Sequence, residues 1–188
     1  MKNVLQVVFL ALVLTALAQL DRGLAARPHP FLGPGNLHGS LISGGTEEST
    51  IPDRCTVTVE RRTLPGESVA SVEADIAALL DRCREADPGL VVHARTTLAR
   101  EPFETTDGAD LLDALARAAE GVTGRAPSPA PMTYWADSAF IAAAGIPTVL
   151  YGPPGEGAHA DVEWVSIEGT RECADVLVRL AIDFCASS

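Results

Sequence analysis

The sequence predicts an α/β chain built in two successive parts. The first part shows helix and strand signals in the order helix, strand, strand, helix, strand. The second part contains one uninterrupted apolar run, Ile146 to Tyr151, of the kind that is buried in a parallel sheet. This run leads into a glycine-proline loop, and open α/β sheets place ligand-binding groups just beyond the carboxyl ends of their strands.

Length and composition allow a well-packed core. The 188 residues suffice for one ordinary domain or two small ones. Hydrophobic residues make up 47% of the chain and aromatic residues only 5%, so aliphatic side chains must fill the core. The net charge of −11 opposes nucleic-acid binding, which needs basic patches against phosphate, and fits a soluble protein with an acidic surface.

The cysteines form no recognisable metal-binding or redox motif. None of the four belongs to a C-x-x-C pair, which is evidence against a zinc ribbon or a thioredoxin-like site. We expect four reduced thiols, mostly packed in cores, at Cys55, Cys83, Cys173 and Cys185.

The N-terminal apolar run, Val4 to Ala18, is compatible with two structures. One is a signal peptide, with Ala16-Leu17-Ala18 as the cleavage site. The other is a buried helix, which we favour because the segment lacks proline and keeps leucines at helical spacing. The run is short for a membrane span, so we expect a cytoplasmic protein with no membrane contact. Secretion or anchoring is the alternative if residues 1–18 act as a signal.

Two strands follow the first helix. A proline-glycine segment, His29 to Asn36, ends that helix near Arg27. Leu37 to Ser43 is predicted as a short strand. Cys55 to Leu64 alternates β-branched and polar residues, which is the pattern of a half-buried strand.

A helix and a further strand complete the first part. Ser68 to Ala86 carries its apolar residues on one face, and Ser68 can cap it. Pro88-Gly89 ends this helix, and Leu90 to Arg100 is predicted as the next strand. One additional strand upstream would complete a β-α-β-β-α-β unit. Residues 1–105 are therefore predicted as a ferredoxin-like α+β domain that lacks its first strand.

The second part, residues 106–188, begins after a linker. Asp107 to Gly124 is predicted as an amphipathic helix whose inward residues are Leu111, Leu112, Leu115, Ala118 and Ala119. Ser138 to Ala144 is an alanine-rich helix that Gly145 ends, just before the apolar strand. Ser166 can cap a last helix that runs to about Cys185.

His159 is the residue in the second part with the clearest chemical potential. It lies in the loop after the apolar strand, together with Gly152, Gly155 and Gly157. These glycines let backbone amides approach a ligand, and such amides can hold a carboxylate or an oxyanion. Taken alone, a single histidine is more often structural or merely exposed than a metal ligand.

Two acidic residues flank this loop. Asp137 stands at the start of a predicted helix, where a carboxylate can cap free amides. Glu163 follows His159 by four residues. It either orients the imidazole through a hydrogen bond or is a charge at the rim of the site.

Two segments carry longer, more specific patterns. Residues 40–68 read SLISGGTEESTIPDRCTVTVERRTLPGES, with a double glycine, a proline turn, a strand ending in arginine and a proline-glycine turn. Residues 134–165 read YWADSAFIAAAGIPTVLYGPPGEGAHADVEWV and contain A-H-x-x-x-E after the glycine-proline loop. Both resemble the dinuclear-zinc amidohydrolase family that includes acetylornithine deacetylase, succinyl-diaminopimelate desuccinylase, aminoacylase and glutamate carboxypeptidase. The deacetylase and desuccinylase branch looks most similar.

The resemblance, which runs from about Leu10 to Phe184, implies an architecture and a function. Residues 1–105 correspond to the family's lid, or dimerisation, domain without its first strand, and residues 106–188 to the C-terminal part of its αβα catalytic domain. Members of the family use two zinc ions to cleave amide bonds of N-acyl amino acids or small peptides. The lid implies a homodimer.

The same resemblance assigns roles to individual residues. His159 matches a ligand of one of the two zinc ions, and the glycine loop helps to bind the substrate's carboxylate. Arg62 matches a lid arginine that contacts this carboxylate, for which a planar guanidinium is well suited. Without the resemblance, Arg62 reads as a solvated charge at a strand end. Asp137 takes a position adjacent to the site.

The sequence also departs from the family in ways that bear on activity. It contains no H-x-D motif, and its only Glu-Glu pair, Glu47-Glu48, lies in the lid turn, where we do not expect it to be catalytic. Ser49 stands where the family often has asparagine, and His38 is more consistent with a strand surface than with catalysis. One imidazole cannot hold zinc tightly. The chain alone is therefore predicted to be inactive and not to retain zinc, and the alternative is a non-catalytic dimerisation or binding module derived from the family.

Overall fold

The computed structural model describes residues 5–50, 52–105 and 108–186, with side chains described from residue 9 onward in the first helix. Within these residues the chain forms a mixed α/β fold. The elements are α1 Leu5–Ala25, β1 Asn36–Gly44, β2 Cys55–Arg62, α2 Val69–Ala86, α3 Ala109–Thr123, α4 Ser138–Ala143, β3 Gly155–Glu156, β4 Trp164–Val165 and α5 Ile167–Cys185. They divide into two compact units, Met1–Pro102 and Phe103–Ser188.

The first unit is built around α1, α2 and the β1–β2 pair. Its buried residues come from α1, β1, α2 and the segment after α2: Leu17, Leu24, Leu37, Leu79, Leu80, Cys83 and Leu90. The half-buried Val59 of β2 packs against them. The interpretation of the N-terminal run as a helix is confirmed from Leu5 onward, while Val4 lies outside the described residues. None of the described helices is long and apolar enough to cross a membrane.

The strands β1 and β2 form an antiparallel pair. Asn36 lies opposite Arg62 and Gly44 opposite Cys55, with one irregularity in register between Gly39 and Leu41. The predicted half-buried alternation of β2 is confirmed from Val57 onward, because Val57, Val59 and Arg61 are half-buried and the side chains between them are exposed. The backbone N–H of Leu37 donates to Asp21 of α1 at 2.8 Å, which ties the start of β1 to the helix.

Helix α2 begins as the sequence predicts. The hydroxyl of Ser68 accepts a hydrogen bond from the backbone N–H of Ser71 at 3.2 Å. The hydroxyl of Ser71 accepts in return from the N–H of Ser68 at 2.9 Å. This reciprocal capping satisfies two amide donors at the start of the helix. The apolar face of α2 buries Leu79, Leu80 and Cys83.

Two predicted strands are not formed. Among the described residues, the structure assigns neither residues 90–100 nor residues 146–151 to a strand. Their apolar side chains are nevertheless used in packing: Leu90 and Val92 contact the first core, and Val149 and Tyr151 contact the second. A strand also requires a neighbour that completes the hydrogen-bonded ladder, and no described segment supplies one. Most of residues 90–100 are exposed and none of residues 146–151 is fully buried, so the predictions of these two strands were wrong.

The second unit is centred on α3 and α5. Its buried cluster consists of Leu115, Ala118, Ala119 and Val176. Helix α3 begins at Ala109, and the predicted start at Asp107 lies outside the described residues. Leu112 was expected to point inward but is 41% exposed, because it lies at the edge of the packed face while Ala114 is buried. The predicted cap of α5 is confirmed: the hydroxyl of Ser166 accepts from the N–H of Gly169 at 3.0 Å.

All four cysteines are free thiols, as expected. Their packing was predicted only in part. Cys83 and Cys173 are buried, one in each unit, whereas Cys55 and Cys185 are exposed.

Candidate functional site

A short hairpin carries the candidate histidine. Strands β3 and β4 pair antiparallel, with Gly155 opposite Val165 and Glu156 opposite Trp164. The N–H of Ser166 donates to the carbonyl of Pro154 at 3.0 Å, which adds a backbone hydrogen bond between the residues that flank the two strands. Residues 157–163 form the loop between these strands, and this loop presents His159 to solvent.

The backbone of His159 adopts an unusual conformation. Its φ is 66°, and it is the one non-glycine residue with positive φ in the described part of the chain. The N–H of Ala160 donates to the carbonyl of Gly157 at 2.8 Å, so His159 occupies the third position of a β-turn. A positive φ at that position is typical of a type II turn, which favours glycine. A side chain there is strained by about 1 kcal/mol or more, and strain of this kind concentrates at functional sites.

Two of the three candidate glycines have a structural reason to be glycine. A Cβ on Gly155 would lie 2.4 Å from the carbonyl oxygen of Trp164, and one on Gly157 would lie 2.0 Å from that of Val162. The hairpin backbone therefore approaches itself too closely for any side chain. Gly152 differs, because a Cβ there would meet nothing within 4 Å. The sequence had attributed all three glycines to ligand approach, and the pairing of β3 with β4 was the signal it lacked.

Asp137 precedes α4 but does not cap it through its side chain. Its backbone is already helical, with φ −60° and ψ −17°, and no side-chain cap hydrogen bond forms. The capping interpretation is therefore wrong. The carboxylate is exposed, which leaves it available for another role.

Ser138, the next residue, was not singled out from the sequence. It is only 7% exposed, and its hydroxyl has no hydrogen-bond partner among the described residues. An unsatisfied buried hydroxyl destabilises a fold by about 1–3 kcal/mol. Nothing in the local sequence distinguishes this serine from one whose hydroxyl is satisfied.

Glu163 ends the hairpin loop immediately before β4, and its side chain is exposed. Within the described residues no ion pair joins Glu163 or Asp137 to His159. The predicted role of Glu163 in orienting the imidazole stays a prediction.

Arg62 lies at the end of β2 on the solvent-exposed face of the first unit. Its Nε is 2.8 Å from Oε1 of Glu60, and the two side chains are 51% and 48% exposed. Glu60 also lies 3.5 Å from Nε2 of His38, as expected for a histidine on a strand surface. Exposed ion pairs of this kind stabilise a fold by only about 0–1 kcal/mol. Arg61 points to the opposite face, as the alternation of β2 predicts.

The described residues do not by themselves fit a zinc site. No group of three or more histidine, cysteine, aspartate or glutamate side chains that could hold a metal ion occurs among them. Zinc requires about four ligands, or three and a water molecule. Glu47 and Glu48 are exposed in the turn between β1 and β2, where Glu47 accepts a hydrogen bond from Thr50. His159 is thus a candidate ligand without described partners.

Comparison with known proteins identifies the family. Residues 33–183 match the family model of Peptidase family M20/M25/M40. This match covers most of the chain, and the chain belongs to this family of metal-dependent hydrolases. The family predicted from the two sequence segments is confirmed.

Two curated relatives are a deacetylase and a desuccinylase. The chain is 26% identical over 176 residues to an acetylornithine deacetylase from Myxococcus xanthus, covering 93% of this chain and 43% of the relative. It is 29% identical over 145 residues to a succinyl-diaminopimelate desuccinylase from Ectopseudomonas mendocina (strain ymp), covering 77% of this chain and 37% of the relative. The chain therefore spans less than half the length of these relatives.

Solved structures support the same fold. An aminopeptidase PepT from Bacillus cereus superposes with a TM-score of 0.64 at 23% identity, covering 87% of this chain and 44% of that chain. An M20 family metallo-carboxypeptidase from Sulfolobus solfataricus superposes with a TM-score of 0.58 at 15% identity, covering 90% of this chain and 43% of that chain. At these identities the likeness concerns the fold alone.

Proposed function

We propose that this chain carries the lid region and the C-terminal catalytic region of a zinc-dependent hydrolase that cleaves amide bonds of N-acyl amino acids or small peptides. One observation supports this proposal above the others. His159 is held in a strained left-handed turn at the exposed tip of a hairpin in which the backbone contacts require glycine. A turn that served only to reverse the chain would favour glycine at position 159. The presence of histidine there instead is what supports a functional role.

The proposal gives each candidate residue a chemical task. His159 offers an imidazole nitrogen to a metal ion, and Arg62 offers a two-pronged hydrogen-bond donor to the substrate's carboxylate. Gly152 leaves open space where backbone amides can approach that substrate. Gly155 and Gly157 act mainly by allowing the hairpin to close around the histidine. Asp137 and Glu163 carry exposed carboxylates that can orient the imidazole or the substrate.

We further propose that the 188 residues do not catalyse hydrolysis by themselves. The described donors do not complete a zinc site, and no H-x-D motif occurs in the sequence. The remaining ligands and the general base would have to come from a polypeptide segment outside these residues. The purified chain should therefore hold far less than one zinc ion after dialysis against a weak chelator, as measured by mass spectrometry. Two retained zinc ions per chain, or turnover of N-acetylornithine that His159→Ala abolishes, would overturn this part.

The role of His159 is tested separately by a loop exchange. Residues 152–166 replace the aligned residues of the Myxococcus xanthus acetylornithine deacetylase, which supplies the rest of its own site. We expect this exchange to retain hydrolysis of N-acetylornithine and the same exchange with His159→Ala to lose it, together with part of the bound zinc. Glu163→Gln in the exchanged loop is the matched control and should have a smaller effect. Equal activity with and without the histidine would refute the ligand role.

A dimer through the lid is the second proposal, and it also suits the alternative of a non-catalytic dimerisation module. The β1–β2 sheet has only two strands among the described residues, so β1 offers an unpaired edge. Leu41 and Ile42 on β1 are 69% and 57% exposed. Exposed apolar edge strands favour pairing with a second chain. Light scattering should show a dimer that Leu41→Lys weakens, whereas Val91→Lys, at an exposed position outside β1, should not. A monomer in both the parent protein and the variants would contradict this proposal.

A further inference from the structure

A cavity of about 380 Å³ lies in the first unit, and none of the candidate site residues lines it. It forms where the end of α1, the loop 29–33 and the turn 64–67 meet. Its walls combine charged, polar and apolar groups. The lining residues that determine its chemistry are Leu24, Arg27, His29, Arg61, Leu64 and Glu67.

The loop 29–33 is closed by hydrogen bonds around the ring of His29. The backbone groups of His29 and Gly33 exchange two hydrogen bonds, at 2.8 and 3.0 Å. The N–H groups of Phe31 and Leu32 both donate to Nδ1 of His29, at 3.2 and 3.1 Å. Because Nδ1 accepts, the ring proton of the neutral imidazole resides on Nε2. His29, which lines the cavity, therefore has one ring N–H donor, at Nε2.

The turn 64–67 forms a second wall of the cavity. The N–H of Glu67 donates to the carbonyl of Leu64 at 3.0 Å, and Gly66 has φ 89° after Pro65, which together indicate a type II turn. The carboxylate of Glu67 accepts from the N–H of Leu64 at 2.7 Å and pairs with Arg61. This carboxylate is thus already engaged by the turn and by one guanidinium.

Arg61 is a nearly buried cation, with its side chain only 8% exposed. It donates to Glu67 and to the carbonyl of Arg62, which uses two of its five N–H donors. Gly35 makes room for it, because a Cβ on Gly35 would lie 2.7 Å from Nη1 of Arg61. A side chain at position 35 would therefore clash with this guanidinium at the cavity wall.

Arg27 supplies a second, exposed cation at the carboxyl end of α1. The partial negative charge of a helix end would oppose an anion here. Part of this negative charge is offset because two carbonyl groups at the helix end accept hydrogen bonds from Arg27. The carbonyl of Leu24 accepts from the backbone N–H of Arg27 at 3.0 Å, and the carbonyl of Gly23 accepts from Nε of Arg27 at 3.5 Å. Two guanidinium groups against one carboxylate leave the lining cationic, in a chain whose net charge is −11.

We propose that this cavity binds a small organic carboxylate with an apolar tail. The arginines attract the carboxylate, the N–H of His29 donates to it, and Leu24 and Leu64 contact the tail. The volume lies at the lower end of the range of about 300–1,000 Å³ typical of small-ligand sites. The carboxylate belongs either to a free short-chain acid or to the carboxyl terminus of a peptide.

Amide chemical shifts of the isotopically labelled chain during titration with hexanoate test the proposal. Saturable shifts in the millimolar range, near Gly35, Leu64 and Glu67, are expected for a ligand of this size. Hexylamine, which has the same tail and the opposite charge, should cause no saturable shift. Acetyl-glycyl-leucine distinguishes the two sources: binding at least as tight as that of hexanoate indicates a peptide terminus, and weaker binding a free acid.

Variants then separate the cavity from general charge effects. Arg27→Gln should weaken hexanoate binding about fivefold, as expected for loss of a charge-assisted hydrogen bond. Arg22→Gln removes a cation from the same helix outside the cavity and should leave the affinity within about twofold. Both positions are exposed, so the spectra should otherwise match the parent chain. Absence of saturable shifts, equal response to hexylamine, or equal affinity of the parent chain and Arg27→Gln would overturn the proposal.

Discussion

Gly157 and Val162 face each other across the hairpin so closely that a Cβ on Gly157 would lie 2.0 Å from the carbonyl oxygen of Val162. Gly157 also has φ 80°, a conformation that side chains disfavour. The contact closes the loop that presents His159. The glycine is therefore a condition for the position of the histidine.

Replacing this glycine should loosen the hairpin. We expect Gly157→Ala to destabilise it by about 2 kcal/mol or more, because the strained φ and the steric clash act together. Hydrogen exchange of the amides of β3 and β4 should become faster. Gly152→Ala is the matched control, since its Cβ meets nothing within 4 Å, and should change stability by less than about 0.5 kcal/mol. Similar exchange rates in the two variants would show that the close contact between Gly157 and Val162 does not control the stability of the hairpin.

The left-handed turn at His159 makes a second prediction. His159→Gly should be more stable than His159→Ala by roughly 0.5–1 kcal/mol, because glycine adopts positive φ without the steric penalty of a Cβ. Urea unfolding of the two variants measures the difference. An alanine variant as stable as the glycine variant would mean that residue 159 does not adopt this conformation in solution.

The reciprocal cap of α2 should contribute measurably to the first unit. Ser68→Ala removes the hydroxyl that accepts from the N–H of Ser71 and should destabilise the unit by about 1 kcal/mol. Ser128→Ala, at an exposed loop position, is the control and should be close to neutral. Thermal unfolding followed by circular dichroism compares the two variants. Equal unfolding midpoints would show that the cap at Ser68 does not stabilise the first unit.

The raised pKa of Tyr151 leads us to expect that the folded chain loses stability at high pH. Burial raises the pKa of its phenol above the ordinary value of 10.0, and the charges of Cys173 and Glu172 raise this pKa further. The folded chain therefore keeps the phenolic proton at pH values where the unfolded chain has released it. The stabilisation is complete below about pH 10 and declines as the pH rises towards the folded pKa.

Titration of the phenolate absorbance, compared between the parent chain and Tyr151→Phe, measures this pKa. Glu172→Gln should lower it slightly, since burial is the larger cause. In Tyr151→Phe the decline in stability above about pH 10 should be smaller than in the parent chain. A Tyr151 that titrates at or below the ordinary value, or a decline that Tyr151→Phe leaves unchanged, would contradict the assignment.

Local sequence patterns predicted the elements that depend on local interactions. Ser68 and Ser166 cap their helices as expected, because a hydroxyl reaches amides only a few residues away. The alternation in β2 correctly separated Arg61 from Arg62, since successive side chains of a strand point to opposite faces. The family was also recognisable from two segments of sequence.

The tertiary structure decided what depends on distant neighbours. Residues 90–100 and 146–151 have strand-like sequences but form no strand among the described residues, because a ladder needs a partner that a periodic pattern cannot supply. Asp137 does not cap α4, since its own backbone is already helical. Gly155 and Gly157 are required by contacts across the hairpin, and the strained φ of His159 follows from the turn that closes it. The sequence alone thus singled out the candidate residues, and only the folded chain determined how their backbone is held.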